Sequence, residues 1–150
     1  MQVGLPGNPD RVLLRLDRVV PPAIEEVERV AMEFRRQFGS LDARTTFAGE
    51  LLLREALLNA VLHGSRGDPA KTVRCVARAR NGNLLILVRD KGDGFDWRTA
   101  LGRVAGAREQ RGRGLEIFRT YASRVRFSPR GNQVALVRRG PQDLEREQSK

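Results

Sequence analysis

Cysteine and histidine are nearly missing from this chain of 150 residues, which carries one of each, Cys75 and His63. A single cysteine excludes an internal disulfide framework and any cysteine-rich metal site. A single histidine removes most catalytic triads and zinc clusters. Aromatic residues make up only 5%, and no aromatic-basic cluster resembles a platform for stacking nucleic-acid bases. The longest apolar stretches, such as Leu84–Val88, are strand-sized, far short of the roughly 18 residues that a membrane-spanning helix needs. The first ten residues have neither the basic start nor the apolar core of a signal peptide, which points to a cytoplasmic protein. Lysine is scarce as well, at Lys71, Lys91 and Lys150 alone. The net charge of +10, from 28 basic and 18 acidic residues, is therefore almost wholly arginine. Those arginines are spread from Arg11 to Arg146 and not gathered in one run. They read as a compositional preference suited to an acidic protein partner, more than as a nucleic-acid footprint.

What is present fits one globular domain. The apolar set is 40% and the charged set 31%, mixed in sign, and a chain of this length buries roughly 68–70% of its unfolded surface. Residues 1–10 are rich in Gly and Pro and read as a loose leader. Arg11–Asp17 suits a first strand. Pro21-Pro22 opens a helix whose apolar face is Ile24, Val27, Val30, Ala31, Phe34 and Phe38, closed by Gly39. Asp42 caps a second helix running to about His63, with Phe47, Leu51, Leu52, Leu58 and Leu62 as apolar positions, ended by Gly64, Gly67 and Pro69. Lys71–Arg80 then alternates with the period of a half-buried strand. Asn81-Gly82 is a hairpin turn, and Asn83–Val88 returns as a strand buried on both faces. Residues 90–114 are glycine-rich and read as a long loop with a short helix at Trp97–Val104. Leu115–Ala122 is a third helix, and Arg124–Ser128 with Gln133–Arg138 forms a closing hairpin. The tail, Gly140–Lys150, is polar and reads as solvated. Strand, two helices, hairpin, helix, hairpin predicts an α+β, two-layer sandwich with a mostly antiparallel mixed sheet and helices on one face.

Three clusters carry candidate chemistry. Glu55, Asn59 and His63 follow at a spacing of four within REALLNAVLHG, along one helical face that drifts by about 40° per step. A carboxylate beside an amide on a rigid helix can supply a general base and an oxygen ligand for Mg²⁺. On these residues alone, the solvent edge of a helix is an equal reading. Asp90-Lys91-Gly92-Asp93-Gly94 follows directly on a buried strand. There a fixed carboxylate can accept a hydrogen bond from an amino group such as that of adenine, and glycines allow close backbone approach. Arg111-Gly112-Arg113-Gly114-Leu115 stands at a helix start, where backbone N–H groups and the helix dipole favour phosphate. No Gly-Lys-Ser/Thr follows, so it is not a Walker loop.

In this order, Glu-x-x-x-Asn on a helix, Asp-x-Gly-x-Gly after a strand and Gly-x-Gly before a helix, the chain resembles the GHKL ATP-binding superfamily. That superfamily includes histidine-kinase catalytic domains, gyrase-type ATPases, Hsp90-type chaperones and bacterial anti-sigma serine kinases. The likeness spans roughly residues 11–139 and implies a Bergerat-type ATP-binding fold. Within the superfamily the chain is most similar to the small anti-sigma-factor serine/threonine kinases, through its length, the wording EALLNAVLHG and the ending RGRGLEIFRTYASRV before a hairpin. That resemblance implies a Mg-ATP-dependent kinase that phosphorylates a small antagonist protein on serine or threonine, sequesters a sigma factor in partner switching, and forms a homodimer through its first strand and helix. Carried over by residue, it makes Glu55 the general base. Asn59 becomes the Mg²⁺ ligand and Asp90 the acceptor for the adenine amino group. Gly92 and Gly94 line base and ribose, while Gly112 and Gly114 shape the phosphate-facing lid. Arg113, from its charge, is a candidate phosphate contact.

Two other readings stay open: a non-catalytic module in which ATP orders the lid and gates protein binding, and the ATP-binding part of a histidine-kinase system. The second predicts an acceptor-histidine helix upstream, for which residues 1–20 are too short. His63 reads as a structural histidine near the lid. Cys75 reads as a small buried hydrophobe, and Trp97 as an anchor for the lid. Arg98, Arg103, Arg108 and Arg111 are candidates for an anion-attracting flap.

Overall fold

The computed structural model describes residues 13–94, 96 and 110–148. Five strands form one open sheet: β1 (Leu14–Val20), β2 (Val73–Arg80), β3 (Asn83–Arg89), β4 (Arg124–Phe127) and β5 (Gln133–Arg138), in the order β1-β2-β3-β5-β4. The sheet was expected to be mostly antiparallel, and every pairing among the described residues is antiparallel. β1 runs past the expected Asp17 to Val20, where its register against β2 pairs Val20 with Val73; Arg11 and Val12 of the expected strand lie outside the described residues. Asn81 and Gly82, at φ 54° and 76°, make the two-residue turn between β2 and β3.

The helices are α1 (Ile24–Phe38), α2 (Ala43–Asn59), α3 (Gln110–Tyr121) and α4 (Pro141–Gln148). α1 starts after Pro21-Pro22, with Ala23 as its N-cap, and Gly39 closes it in a right-handed conformation. Its buried side is Val27, Val30, Ala31, Phe34 and Phe38, with the Phe34 and Phe38 rings stacked at 4.5 Å, whereas Ile24 in the first turn stays exposed. Asp42 caps α2 by accepting from the Thr45 N–H at 3.2 Å. The arc that α2 buries is Ala48, Gly49, Leu52, Leu53, Ala56 and Leu57. Of the apolar positions expected to face the core, Phe47 and Leu62 are exposed, at 62% and 38%. Phe47 instead meets Tyr121 of α3 edge-on at 6.3 Å. α3 begins at Gln110, five residues before the expected Leu115, so it takes both glycines of Gly112-x-Gly114 into its first turns. The tail expected to be solvated carries α4, tied to the β2–β3 hairpin by Asn83, which donates to Asp143 at 2.5 Å and accepts from the Gly140 N–H at 2.8 Å. The expected helix at Trp97–Val104 lies outside the described residues.

Strand alternation separates the two faces of the sheet. Leu16, Val73, Cys75, Ala77, Leu84, Ile86, Val88, Val134 and Leu136 join the core beneath α1, α2 and α3. Burial raises the Cys75 thiol to about 12, the behaviour of a buried apolar side chain and not of a nucleophile. The opposite face carries none of α1, α2 and α3, and α4 is tied to its edge at Asn83. β3, expected to be buried on both faces, is buried only on the helix side; Leu85 and Leu87 on the other are half-buried. Beside them lie Val76 of β2 and Ala135 and Val137 of β5. Around that aliphatic strip stand Arg74, Arg78 and Arg80 of β2, Arg124 and Arg126 of β4, Arg15 and Arg89, all exposed.

Candidate functional site

The cleft between helix layer and sheet is built where α2 changes its winding. After Asn59 the chain continues as a single π-helical stretch, Ala60–Ser65, with i→i+5 bonding, and leaves it through Arg66 in the left-handed conformation. Ser65, fully buried, ties this end down by donating to the Lys71 carbonyl at 2.8 Å. The wider winding carries His63 and Gly64 to the cleft wall beside Asn59. The cleft measures about 550 Å³, open solvent included, and is floored by Val88, Leu115, Phe118, Phe127 and Val134.

Asp90 closes one end. Ending β3, it donates its N–H to the Asn132 carbonyl at 2.9 Å and accepts on its own carbonyl from the Asn132 side-chain amide at 3.2 Å. The Gly92 N–H donates to its carboxylate Oδ1 at 2.7 Å. Gly64 lies so close that a Cβ there would stand 2.3 Å from the carboxyl carbon. Gly94, at φ 86°, passes the β4–β5 turn with its Cα hydrogen where a Cβ would stand 1.6 Å from the Arg130 carbonyl oxygen. Only glycine permits either approach.

Glu55 and Asn59 stand at the other end, one turn apart on α2. α3 runs antiparallel to α2, with Tyr121 near Phe47 and Gly114 near Asn59. A Cβ on Gly114 would lie 2.9 Å from Asn59 Nδ2 and 3.5 Å from Glu55 Oε2. The glycine therefore brings the N-terminal end of α3, whose first N–H groups have no partner within the helix, up to the carboxylate and amide.

The structure thus gathers Asn59, Asp90 and Gly94 on one cleft, with Glu55 and Gly114 adjoining. Gly92 packs against the Gly64 carbonyl and lines a neighbouring groove with Thr72, Arg74, Arg89, Lys91 and Arg130. Gly112 and Arg113 fall in the first turn of α3; their proposed lid and phosphate contacts, like Arg98, Arg103 and Arg108, lie outside the described residues, as does Trp97. Two site residues escaped sequence reasoning. Gly64 looked like a helix stop, and Asn132 falls between the two strands of the expected closing hairpin. Asn132 meets Asp90 across a separation of 42 positions, which no local pattern signals. Behind the site, Arg35 of α1 and Arg54 of α2 converge on Glu50, whose carboxyl they hold below its usual range.

A sheet with helices on one face, an aspartate at a strand end and a helix N-terminus across a cleft define a nucleotide-binding α+β domain. The family model of the histidine kinase-like ATPase domain matches residues 20–138, and the chain belongs to that family. Its ligand is accordingly ATP. No curated protein shows a significant match.

Proposed function

We propose that the protein is a Mg-ATP-dependent serine/threonine protein kinase of the cytoplasm. It would act as an anti-sigma factor in partner switching and phosphorylate a small antagonist protein. The observation that supports this most is the pair Glu55 and Asn59, set beside Gly114 at the α3 end of the cleft, opposite Asp90. In this reading Asp90 accepts from the adenine amino group, which sends the phosphates toward α2 and α3. Asn59 and Glu55 offer hard oxygen donors suited to Mg²⁺. No group of three His, Cys, Asp or Glu side chains able to hold a metal occurs among the described residues. The ion would take its other ligands from phosphate and water, as Mg²⁺ usually does.

The acceptor hydroxyl oxygen bonds to the γ-phosphorus as the bond to the β–γ bridging oxygen breaks. ADP departs, and Glu55 receives the hydroxyl proton. Positioning and charge neutralisation carry most of such a transfer. Pairing into a homodimer through the edge strand β1 and α1, and capture of a sigma factor, belong to the same proposal.

Intrinsic ATP hydrolysis, with water in place of the hydroxyl, tests the core of it. Wild type should release ADP slowly with Mg²⁺, and Glu55→Gln should bind ATP without releasing ADP. ATP binding with no turnover in wild type, alone or with serine-bearing partner candidates, would leave an ATP-gated binding module instead.

A further inference from the structure

We propose that the sheet face opposite α1, α2 and α3 is a docking surface for an acidic, amphipathic segment of a partner protein. The inference stands on the sheet alone and does not depend on the kinase reading.

Register sets the chemistry of this face. Val76, Leu85, Leu87 and Val137 make a continuous aliphatic strip across β2, β3 and β5. Among the described residues none of Arg78, Arg80, Arg124 and Arg126 along its flanks forms an ion pair. Among the strand residues of the face Asp17 is the one carboxylate, and it is already engaged by Arg74 at 2.9 Å and Arg15 at 3.4 Å, while Asp143 of α4 takes the Asn83 amide at the β2–β3 turn. Those guanidiniums hold Asp17 below its ordinary pKa. The face therefore asks for side chains that bring aliphatic surface to the middle and carboxylates to the edges.

Other occupants match less well. A second copy would lay arginine rows against arginine rows, and like charges in contact oppose association. A nucleic acid would satisfy the arginines but draw a charged backbone over the aliphatic strip. The face also offers no aromatic ring among the described residues for a base to stack on. An acidic peptide with alternating apolar residues matches both features, since the fork of arginine suits carboxylates.

The face also reaches the ATP site. The groove holding Arg74, Arg89, Lys91 and Arg130 shares Asp90 and Asn132 with the cleft. A partner seated there lies against the back of the loop that holds Asp90.

The test uses the full chain and a short fluorescent peptide of alternating Glu and Leu, with a Gln-for-Glu counterpart and a single-stranded oligonucleotide as competitors for the assignment. The double variant Arg78→Glu/Arg126→Glu is compared with Arg36→Glu/Arg44→Glu, which changes net charge equally on the helix layer. We expect the acidic peptide to bind wild type and the helix-layer variant alike. The face variant and the Gln peptide should each weaken binding about tenfold, and ATP affinity should not move. Equal weakening by both variants would reduce the effect to net charge and overturn the proposal. So would tighter binding of the oligonucleotide lost in the face variant, a wild-type dimer that the face variant dissociates, or no peptide binding at millimolar concentration.

Discussion

At the Asp90 end of the cleft, paired bonds to Asn132 fix the Asp90 backbone, and the Gly92 N–H with the close approach of Gly64 holds its carboxylate. At the other end, two side chains stand on one helix and meet a second helix through one glycine. The first arrangement suits recognition, because a held acceptor loses little entropy on binding. The second suits chemistry, because a carboxylate and an amide on adjacent turns can act on phosphates without being needed for adenine. The difference predicts that substitutions at the two ends separate affinity from turnover.

The largest separation is expected from Glu55→Gln. Loss of a general base costs about 10²–10⁴-fold in rate, so ADP release should fall by that factor while calorimetric ATP affinity holds. A parallel loss of affinity would merge the two ends and remove the base assignment. Asp90→Asn should do the reverse. A hydrogen bond to a charged group contributes about 1.5–3 kcal/mol, so ATP binding should weaken by roughly ten- to hundredfold. Retained affinity would place adenine elsewhere.

The neighbouring glycines sharpen the contrast with smaller effects. Gly64→Ala pushes a methyl into the Asp90 carboxyl group, which is pinned by Gly92 and has little room to retreat. ATP affinity should fall about tenfold, in step with Asp90→Asn and without a matching change in turnover of the bound complex. Gly114→Ala meets the outer end of the Asn59 side chain, which can turn aside. Alanine also gains about 1 kcal/mol of helix propensity there, so the variant should fold at least as well as wild type. It should lower turnover at limiting Mg²⁺ while leaving ATP affinity nearly intact. If Gly114→Ala instead mimics Gly64→Ala, both glycines serve one binding surface and the division fails.

Much of this was legible in the chain because the signals are local. Alternation in Val73–Arg80, the Asn81-Gly82 turn and the Asp42 cap each act within a few residues, and each element formed where its pattern lay. Glu55 and Asn59 were legible as a carboxylate and an amide four residues apart on a helix, and Asp90 as the acid that follows a buried strand. What pattern could not supply was contact between distant segments. Phe47 and Leu62 fit a helical stripe, yet the buried arc was set by which side of α2 the sheet and α1 cover. Gly64 and Asn132 became site residues only because the π-helical stretch and the β4–β5 turn meet Asp90 in space. The tail likewise became α4 on the strength of Asn83, some 60 positions away.

The smallest effect lies behind the cleft, at the joint between α1 and α2, and it tests whether the helix layer is separable from the site. Glu50 accepts from Arg35 at 2.5 Å and from Arg54 at 3.2 Å, with its carboxyl lowered first by Arg35 against an opposing cost of burial. A carboxyl lowered in the folded state favours folding above its unfolded pKa of about 4.3, and that contribution is lost as pH falls through the lower folded value. Wild type should therefore lose stability below about pH 4.3 more steeply than Glu50→Gln, with a difference near neutral pH of about 1 kcal/mol. Denaturant midpoints measured from neutral pH down into this acid range would show it. ATP affinity at neutral pH should be the same in both proteins, because neither arginine nor Glu50 lines the cleft. Equal acid limbs would mean that the ion pairs add nothing. A loss of turnover at unchanged ATP affinity in Glu50→Gln would instead show that the α1–α2 joint positions Glu55 and Asn59, five and nine residues further along the same helix.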